Sequence, residues 1–216
     1  MPIRIAELYG SIQGEGHHSG LRCFFIRTAG CDLRCQWCDS PSALQASSGR
    51  LYSIPEIVDQ VPPDGPLIQI TGGEPLLQIQ AVLELIAQLR QERPRSKILL
   101  ETGGHISLQP LPADIHICMD IKLPSSGEDQ HDFRANLPFL KSADEIKFVI
   151  ADYDDYVVMR QWIRADRLAD YCAILASPAW GQLQPASLAE WILRDLLPVR
   201  MQVQLHKIIW GNREGI

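Results

Sequence analysis

Three cysteines at the spacing C-x3-C-x2-C, Cys31, Cys35 and Cys38 in GCDLRCQWCDS, are the residues of this chain best suited to chemistry. Three thiolates within eight residues close on one metal centre if the loop curls around it, and Gly30 with its small neighbours permits that curl. Iron–sulfur clusters are ordinarily held by four thiolates, so three predict a cluster with one iron site open to a ligand. The competing chemistry is a structural zinc ion whose fourth ligand is a histidine such as His17 or His105. The other cysteines, Cys23, Cys118 and Cys172, lie in apolar runs and read as small core residues.

Such a loop needs a scaffold, and 216 residues with 46% hydrophobic and 21% charged content suffice for one domain spanning residues 1–216. No apolar run reaches transmembrane length, and MPIRIAELYGSIQGEG lacks the layout of a signal peptide, so a cytoplasmic protein with no membrane partner is expected. That setting keeps thiols reduced and favours metal binding over disulfides. With a net charge of −6 and no Lys/Arg cluster, direct nucleic-acid binding is disfavoured.

Apolar runs alternate with helix-like patterns, the signature of a parallel β/α architecture. Strands are predicted at Arg22–Thr28, Leu67–Ile70, Lys97–Glu101, Ile115–Ile121, Glu145–Ile150, Cys172–Ala176 and Val203–Ile209, several of them continuous apolar runs as in strands covered on both faces. The clearest helix is Ile79–Gln91, with a stripe of Ile79, Val82, Leu83, Ile86 and Leu89. Asp155–Leu168 and Ser187–Leu197 follow, the latter opening on the capping-box pattern Ser187-Leu-Ala-Glu190. The stretch 41–66, with one short helical piece at Pro55–Gln60, and the polar stretch 124–144 break the alternation, so a reduced, partial (β/α) barrel with irregular insertions is expected.

In such folds ligands bind at the C-terminal ends of the strands. There the second strand gives Thr71-Gly72-Gly73-Glu74-Pro75, whose paired glycines allow close backbone approach, and the third gives Glu101-Thr102-Gly103-Gly104-His105. Asp120, Lys122, Glu145 and Lys147 are charges in strands and require partners or a ligand. Read as a strand, Met201–Lys207 places Gln202, Gln204 and His206 on one polar face.

The cysteine spacing with an aromatic, Trp37, before the last thiol resembles the cluster loop of the radical S-adenosylmethionine (SAM) superfamily, and TGGEP resembles its SAM-binding glycine motif. Within it, Gln13-Gly14-Glu15-Gly16, Arg27, CDLRCQWCDS, LETGG, DEIK and QLHK, in order from Ala6 to Lys207, resemble the 7-carboxy-7-deazaguanine synthase family. That resemblance implies a radical ring contraction of 6-carboxy-5,6,7,8-tetrahydropterin to 7-carboxy-7-deazaguanine plus ammonia, with SAM used catalytically in 7-deazapurine and queuosine biosynthesis. It implies a [4Fe-4S] cluster on Cys31, Cys35 and Cys38, and SAM on Gly72, Gly73 and Glu74 with Trp37, Thr102, Asp120, Lys122 and Ser177. The pterin would meet Ile12, Gln13, Gly14 and Glu15, Arg27 through its planar fork, and Thr71, Gln204 and His206. Mg2+ would sit at Ser40, where relatives carry Thr. A flavodoxin-type reductant and a homodimer follow from the same likeness, and the residues assign no role to the tail Trp210–Ile216. No catalytic residue is implied beyond the SAM-derived radical. The alternatives are another small radical SAM enzyme, above all a glycyl-radical activase, and a zinc-stabilised binding domain.

Overall fold

Nine strands form one sheet in the computed structural model, which describes residues 1–65, 67–213 and 215. In chain order the elements are β1 (Ile3–Ile12), β2 (Arg22–Thr28), β3 (Arg50–Tyr52), α1 (Ile54–Gln60), β4 (Leu67–Gly72), α2 (Ile79–Glu92), β5 (Lys97–Thr102), β6 (His116–Ile121), β7 (Glu145–Ile150), α3 (Tyr153–Ala165), β8 (Ala173–Pro178), α4 (Pro185–Asp195), β9 (Arg200–Met201) and α5 (Leu205–Trp210). The sheet order is β3-β1-β2-β4-β5-β6-β7-β8-β9. Neighbours from β2 onward are parallel, and β1 pairs antiparallel with both β2 and β3. Because β3 and β9 remain as edges, the barrel is partial, as the sequence predicts.

The alternation along these strands builds two different faces. Ile68 and Ile70, Ile98 and Leu100, Ile117 and Met119, and Ile146 and Phe148 point outward into one apolar core shared with the helices. Gln69 and Thr71, Glu101, Asp120, Glu145 and Lys147 point inward and line a cavity. Helices thus cover the outer face, while the inner face bounds the cavity.

Four expectations are corrected. β1 was read as no element, yet at 10 residues it is the longest strand of the sheet. Its register slips between Ile5 and Glu7, a bulge that moves the odd-numbered residues from the core face, Ile3 and Ile5, to the cavity face, Glu7, Tyr9 and Ser11. The capping box at Ser187 does not form: α4 starts at Pro185, whose fixed φ suits the first turn, and Ser187 lies inside the helix. A capping box does form at Ser53 and Glu56, opening α1. The predicted strand Val203–Ile209 does not form: β9 ends at Met201 and Leu205–Trp210 is helix α5, since Leu205, Ile208 and Ile209 fit helical spacing as well as Val203 and Leu205 fit alternation. The buried stripe of α2 is Val82, Leu85, Ile86 and Leu89, with Leu83 only half-buried.

Leu85→Ala is therefore expected to lower the unfolding free energy by about 2–5 kcal/mol, and Leu83→Ala by less than roughly half of that. Urea titration of both variants checks the assignment, and equal losses would reject it.

Candidate active site

β2 ends at Thr28, and the chain turns through Gly30, at φ 102°, into the cysteine loop. The Gly30 N–H donates to the Ala43 carbonyl (2.8 Å) and the Cys31 N–H to that of Leu44 (3.0 Å), which curls the loop back on itself. The turn after β4 is stitched to the same loop: Gly73 N–H donates to Thr28 O (3.0 Å) and Glu74 N–H to Gly30 O (2.8 Å). A Cβ on Gly73 would lie 2.2 Å from Gly30 O, so glycine is needed for this approach of two backbones.

All three loop cysteines line one cavity of about 490 Å³, a size typical of small-molecule sites. Burial pushes their thiols up, Cys31 to about 11, so they bind metal only by giving up protons to it. One tetrahedral zinc ion would bring its sulfurs within about 3.8 Å of one another. Among the described residues, the groups of three His, Cys, Asp or Glu ligand atoms within 4.8 Å of one another do not include these cysteines. Ligands spread over separate irons fit this wider spacing. Neither histidine offered for a zinc site serves it: His105 Nε2 pairs with Asp32 (2.8 Å), and His17 lies in the β1–β2 turn beside Glu145.

Glu74 is almost wholly buried and fully committed. It accepts from Leu76 N–H (2.9 Å), Gly103 N–H (2.8 Å) and both of its oxygens accept from the Thr102 hydroxyl (2.8 and 2.9 Å). The carboxylate thus ties the glycine turn to the end of β5.

The inner wall is organised by Lys147. Its ammonium contacts Glu101 (2.6 Å), Glu15 (2.9 Å) and Asp120 (3.2 Å), and Lys122 also pairs with Asp120 (3.1 Å). Burial alone would lower the Lys147 pKa; Glu101, Glu15 and Asp120 more than reverse this and hold it well above the usual lysine range. The second oxygen of Asp120, Oδ1, is buried without a hydrogen-bond partner and stands ready for a donor on a ligand. Arg27 donates to Glu7 (2.9 Å), Ser40 (2.8 Å), Tyr9 (3.0 Å) and Gly72 O (3.4 Å).

Residues 12–136 match the family model of the 4Fe-4S single cluster domain, more than half of the chain and all of the cysteine loop. The 7-carboxy-7-deazaguanine synthase of Chlorobaculum tepidum is 41% identical over 97% of this chain and 95% of its own. The chain belongs to the 7-carboxy-7-deazaguanine synthase family. The proteins of the same name from Koribacter versatilis, 38% identical over 96% of this chain and 97% of theirs, and from Methanospirillum hungatei, 41% identical over 96% and 85%, agree. The crystal structure of QueE from Escherichia coli has the same fold, with a TM-score of 0.74 at 21% identity and 95% of each chain covered.

Of the residues that the likeness to this family singles out, all but Ser177 line the cavity: Ile12, Gln13, Gly14 and Glu15 from the β1–β2 turn, Arg27, Trp37 and Ser40 around the cysteine loop. Thr71, Gly72, Gly73, Glu74, Thr102, Asp120 and Lys122 line it at the strand ends, and Gln204 and His206 across the opening. Ser177 is buried in β8, outside the cavity lining, and its hydroxyl has no partner. Cys118 is a correction: half-buried, it lines the cavity instead of filling the core, because it alternates with Ile117 and Met119. Burial and the neighbouring Glu101 hold its thiol protonated.

Gln204 and His206 reach the site without the predicted strand. Leu205 N–H donates to Gly14 O (3.0 Å), Gly16 N–H to Gln202 Oε1 (2.7 Å), and Gln204 Nε2 to Glu15 (2.8 Å) and Asp39 (3.2 Å). This segment spans the gap between the β9 edge and the β1–β2 turn. From the tail, Arg213 and Gly215 line the cavity, while Glu214 and Ile216 lie outside the described residues. Sequence reasoning missed Glu7 and Tyr9, which the bulge turns inward, and Asp39; it saw Lys147 only as a charge in need of a partner.

Lys147→Met should cost about 3–5 kcal/mol of stability near neutral pH, because three crowded carboxylates lose their cation. Left together, they would take up protons at higher pH than in the unfolded chain, so the variant regains stability as the pH falls from about 8 to about 5. Thermal midpoints of variant and wild type across that range test this; a deficit independent of pH would reject it.

Proposed function

We propose that this chain converts 6-carboxy-5,6,7,8-tetrahydropterin to 7-carboxy-7-deazaguanine with release of ammonia, using SAM catalytically, in 7-deazapurine biosynthesis. The observation that carries the reading is that a three-cysteine loop and a glycine turn, in a chain of this family, open onto one cavity with a polar, charge-balanced wall. Cys31, Cys35 and Cys38 would hold a [4Fe-4S] cluster which, together with SAM, would supply the radical chemistry that starts the reaction. The spacing of the three thiols and the free Asp120 Oδ1 fit these groups.

The protein's own work is to bind, orient and keep out competing reactions. The Gly72–Gly73 backbone and the Asp120–Lys122 pair would hold SAM beside the loop, with Trp37 and Thr102 flanking it; Ser177 would act from behind the wall. Glu74 would act through the turn it braces, because its oxygens are already committed. Residues Ile12–Glu15, Thr71, Gln204 and His206 would surround the pterin on the opposite side. Arg27 would offer its remaining N–H to the substrate carboxylate, positioned by Glu7 and Tyr9. We read residues 1–216 as one radical SAM core domain in a cytoplasmic enzyme.

Mg2+ beside Ser40 would face the Arg27 guanidinium, 2.8 Å from the hydroxyl, and Asp39, which accepts from that hydroxyl at 3.2 Å, supplies opposing charge. A flavodoxin-type protein would deliver the electron. Exposed Leu193, Leu196, Ile208 and Ile209 on and beside α4 and α5 favour burial in a homodimer, for which a monomer mass in sedimentation would be contrary evidence.

An anaerobic single-turnover assay with SAM, reduced flavodoxin, Mg2+ and the carboxytetrahydropterin should yield the carboxydeazaguanine by mass spectrometry with SAM undepleted. Release of 5′-deoxyadenosine without a deazapurine would overturn the substrate and point to an activase. In the same assay Ser40→Ala should turn over at a rate that no longer responds to Mg2+; a wild-type response would remove Ser40 from the ion.

A further inference from the structure

Away from the cysteine loop, at the end of the barrel where the parallel strands begin, a second group of ligand atoms converges. His17 comes from the β1–β2 turn, His116 is the first residue of β6, and Glu145 is the first residue of β7. His17 Nδ1 stands 3.1 Å from Glu145 Oε1, His116 Nε2 stands 2.9 Å from Glu145 Oε2, and the three ligand atoms lie within 4.8 Å of one another. We propose that His17, His116 and Glu145 form a site for a divalent transition ion of the zinc type, separate from the cluster and from the ion at Ser40.

Three observations carry it. The donor set, two imidazoles and one carboxylate, is one that zinc takes in proteins, and bonds of about 2.0–2.1 Å in a tetrahedral site separate ligand atoms by about 3.4 Å. That is close to the spacing already present. Second, the Glu145 side chain is only 4% exposed, yet among the described residues no Lys or Arg pairs with it. Lys147, two residues along the same strand face, is taken by Glu101, Glu15 and Asp120. A buried carboxylate calls for a cation, and the imidazoles turned toward it are metal ligands. Third, the site is oriented and reachable: the His17 N–H donates to Glu145 Oε1 (2.6 Å), holding the carboxylate in place, while the His17 side chain is 34% exposed and leaves a path for the ion and a water. His18 is outside the set, since Lys97 Nζ lies 3.5 Å from its Nε2.

The ion would join segments remote in sequence and pin the β1–β2 turn to β6 and β7. Glu15 and Gly16 lie on that turn, and His116 and Glu145 themselves line the cavity, so the site would fix that wall from below.

The test uses cluster-loaded enzyme, kept anaerobic, stripped of loose divalent ions and supplied with excess Mg2+. Titration with ZnCl2, followed by calorimetry and metal analysis, should show one equivalent of zinc beyond the cluster iron, accompanied by a rise in the thermal midpoint. His17→Ala, at a partly exposed position, and Glu145→Gln, which keeps the side-chain shape, should each weaken that equivalent at least about tenfold. Zinc X-ray absorption should report nitrogen and oxygen neighbours. Absence of the extra equivalent, undiminished binding in both variants, or sulfur neighbours would each overturn the proposal.

Discussion

The ammonium of Lys147 sits where three carboxylates from three parts of the chain meet, Glu15 from a turn, Glu101 from β5 and Asp120 from β6. A barrel strand that is apolar outside and polar inside is stable only if the inner charges cancel, because water in a cavity of this size screens them poorly. One lysine answers for three acids here, with Lys122 sharing Asp120. The same contact joins the turn opposite the cysteine loop to the strand beneath it. The two halves of the cavity are therefore held in register by electrostatics as well as by the sheet.

Around that centre, the loop that carries the thiols is held by backbone and side chains together: Arg34 donates to the Cys31 and Leu33 carbonyls, Trp37 donates to the Ser125 hydroxyl, and Asp32 pairs with His105. Gly73 and Gly72 bring the β4 turn against Thr28 and Gly30 at distances that no Cβ allows. Glu74 then fixes the same turn to Thr102 and Gly103. The three thiols face the cavity because these main-chain bonds, with Asp32, Arg34 and Trp37, position the loop around them.

The partial barrel leaves an opening between β9 and the hairpin of β1 and β2. The segment 202–206 bridges it by pairing with Gly14 and Gly16, and it is Gly14 that makes room for His206: a Cβ there would lie 2.0 Å from the ring. An incomplete sheet closed by a short polar segment gives a cavity whose one wall is not a strand.

The sequence by itself determined the parallel strands from Arg22 to Ala176, the helix packed outside β4 and β5, and the cysteine loop with its glycine turn, because each rests on local patterns: apolar periodicity, thiol spacing and glycine pairs. It also marked Lys147 and Asp120 as charges that must be satisfied. Which charges meet, and which face a residue takes, only the tertiary structure decided. Glu7 and Tyr9 face the cavity because a bulge shifts the register of β1, and Cys118 faces it because β6 turns alternate residues inward. Gln204 and His206 reach the site from a loop and a helix, not a strand, held by bonds to residues nearly two hundred positions earlier. Such contacts depend on where distant segments come to lie, and a one-residue shift of register reverses which side chains the cavity receives.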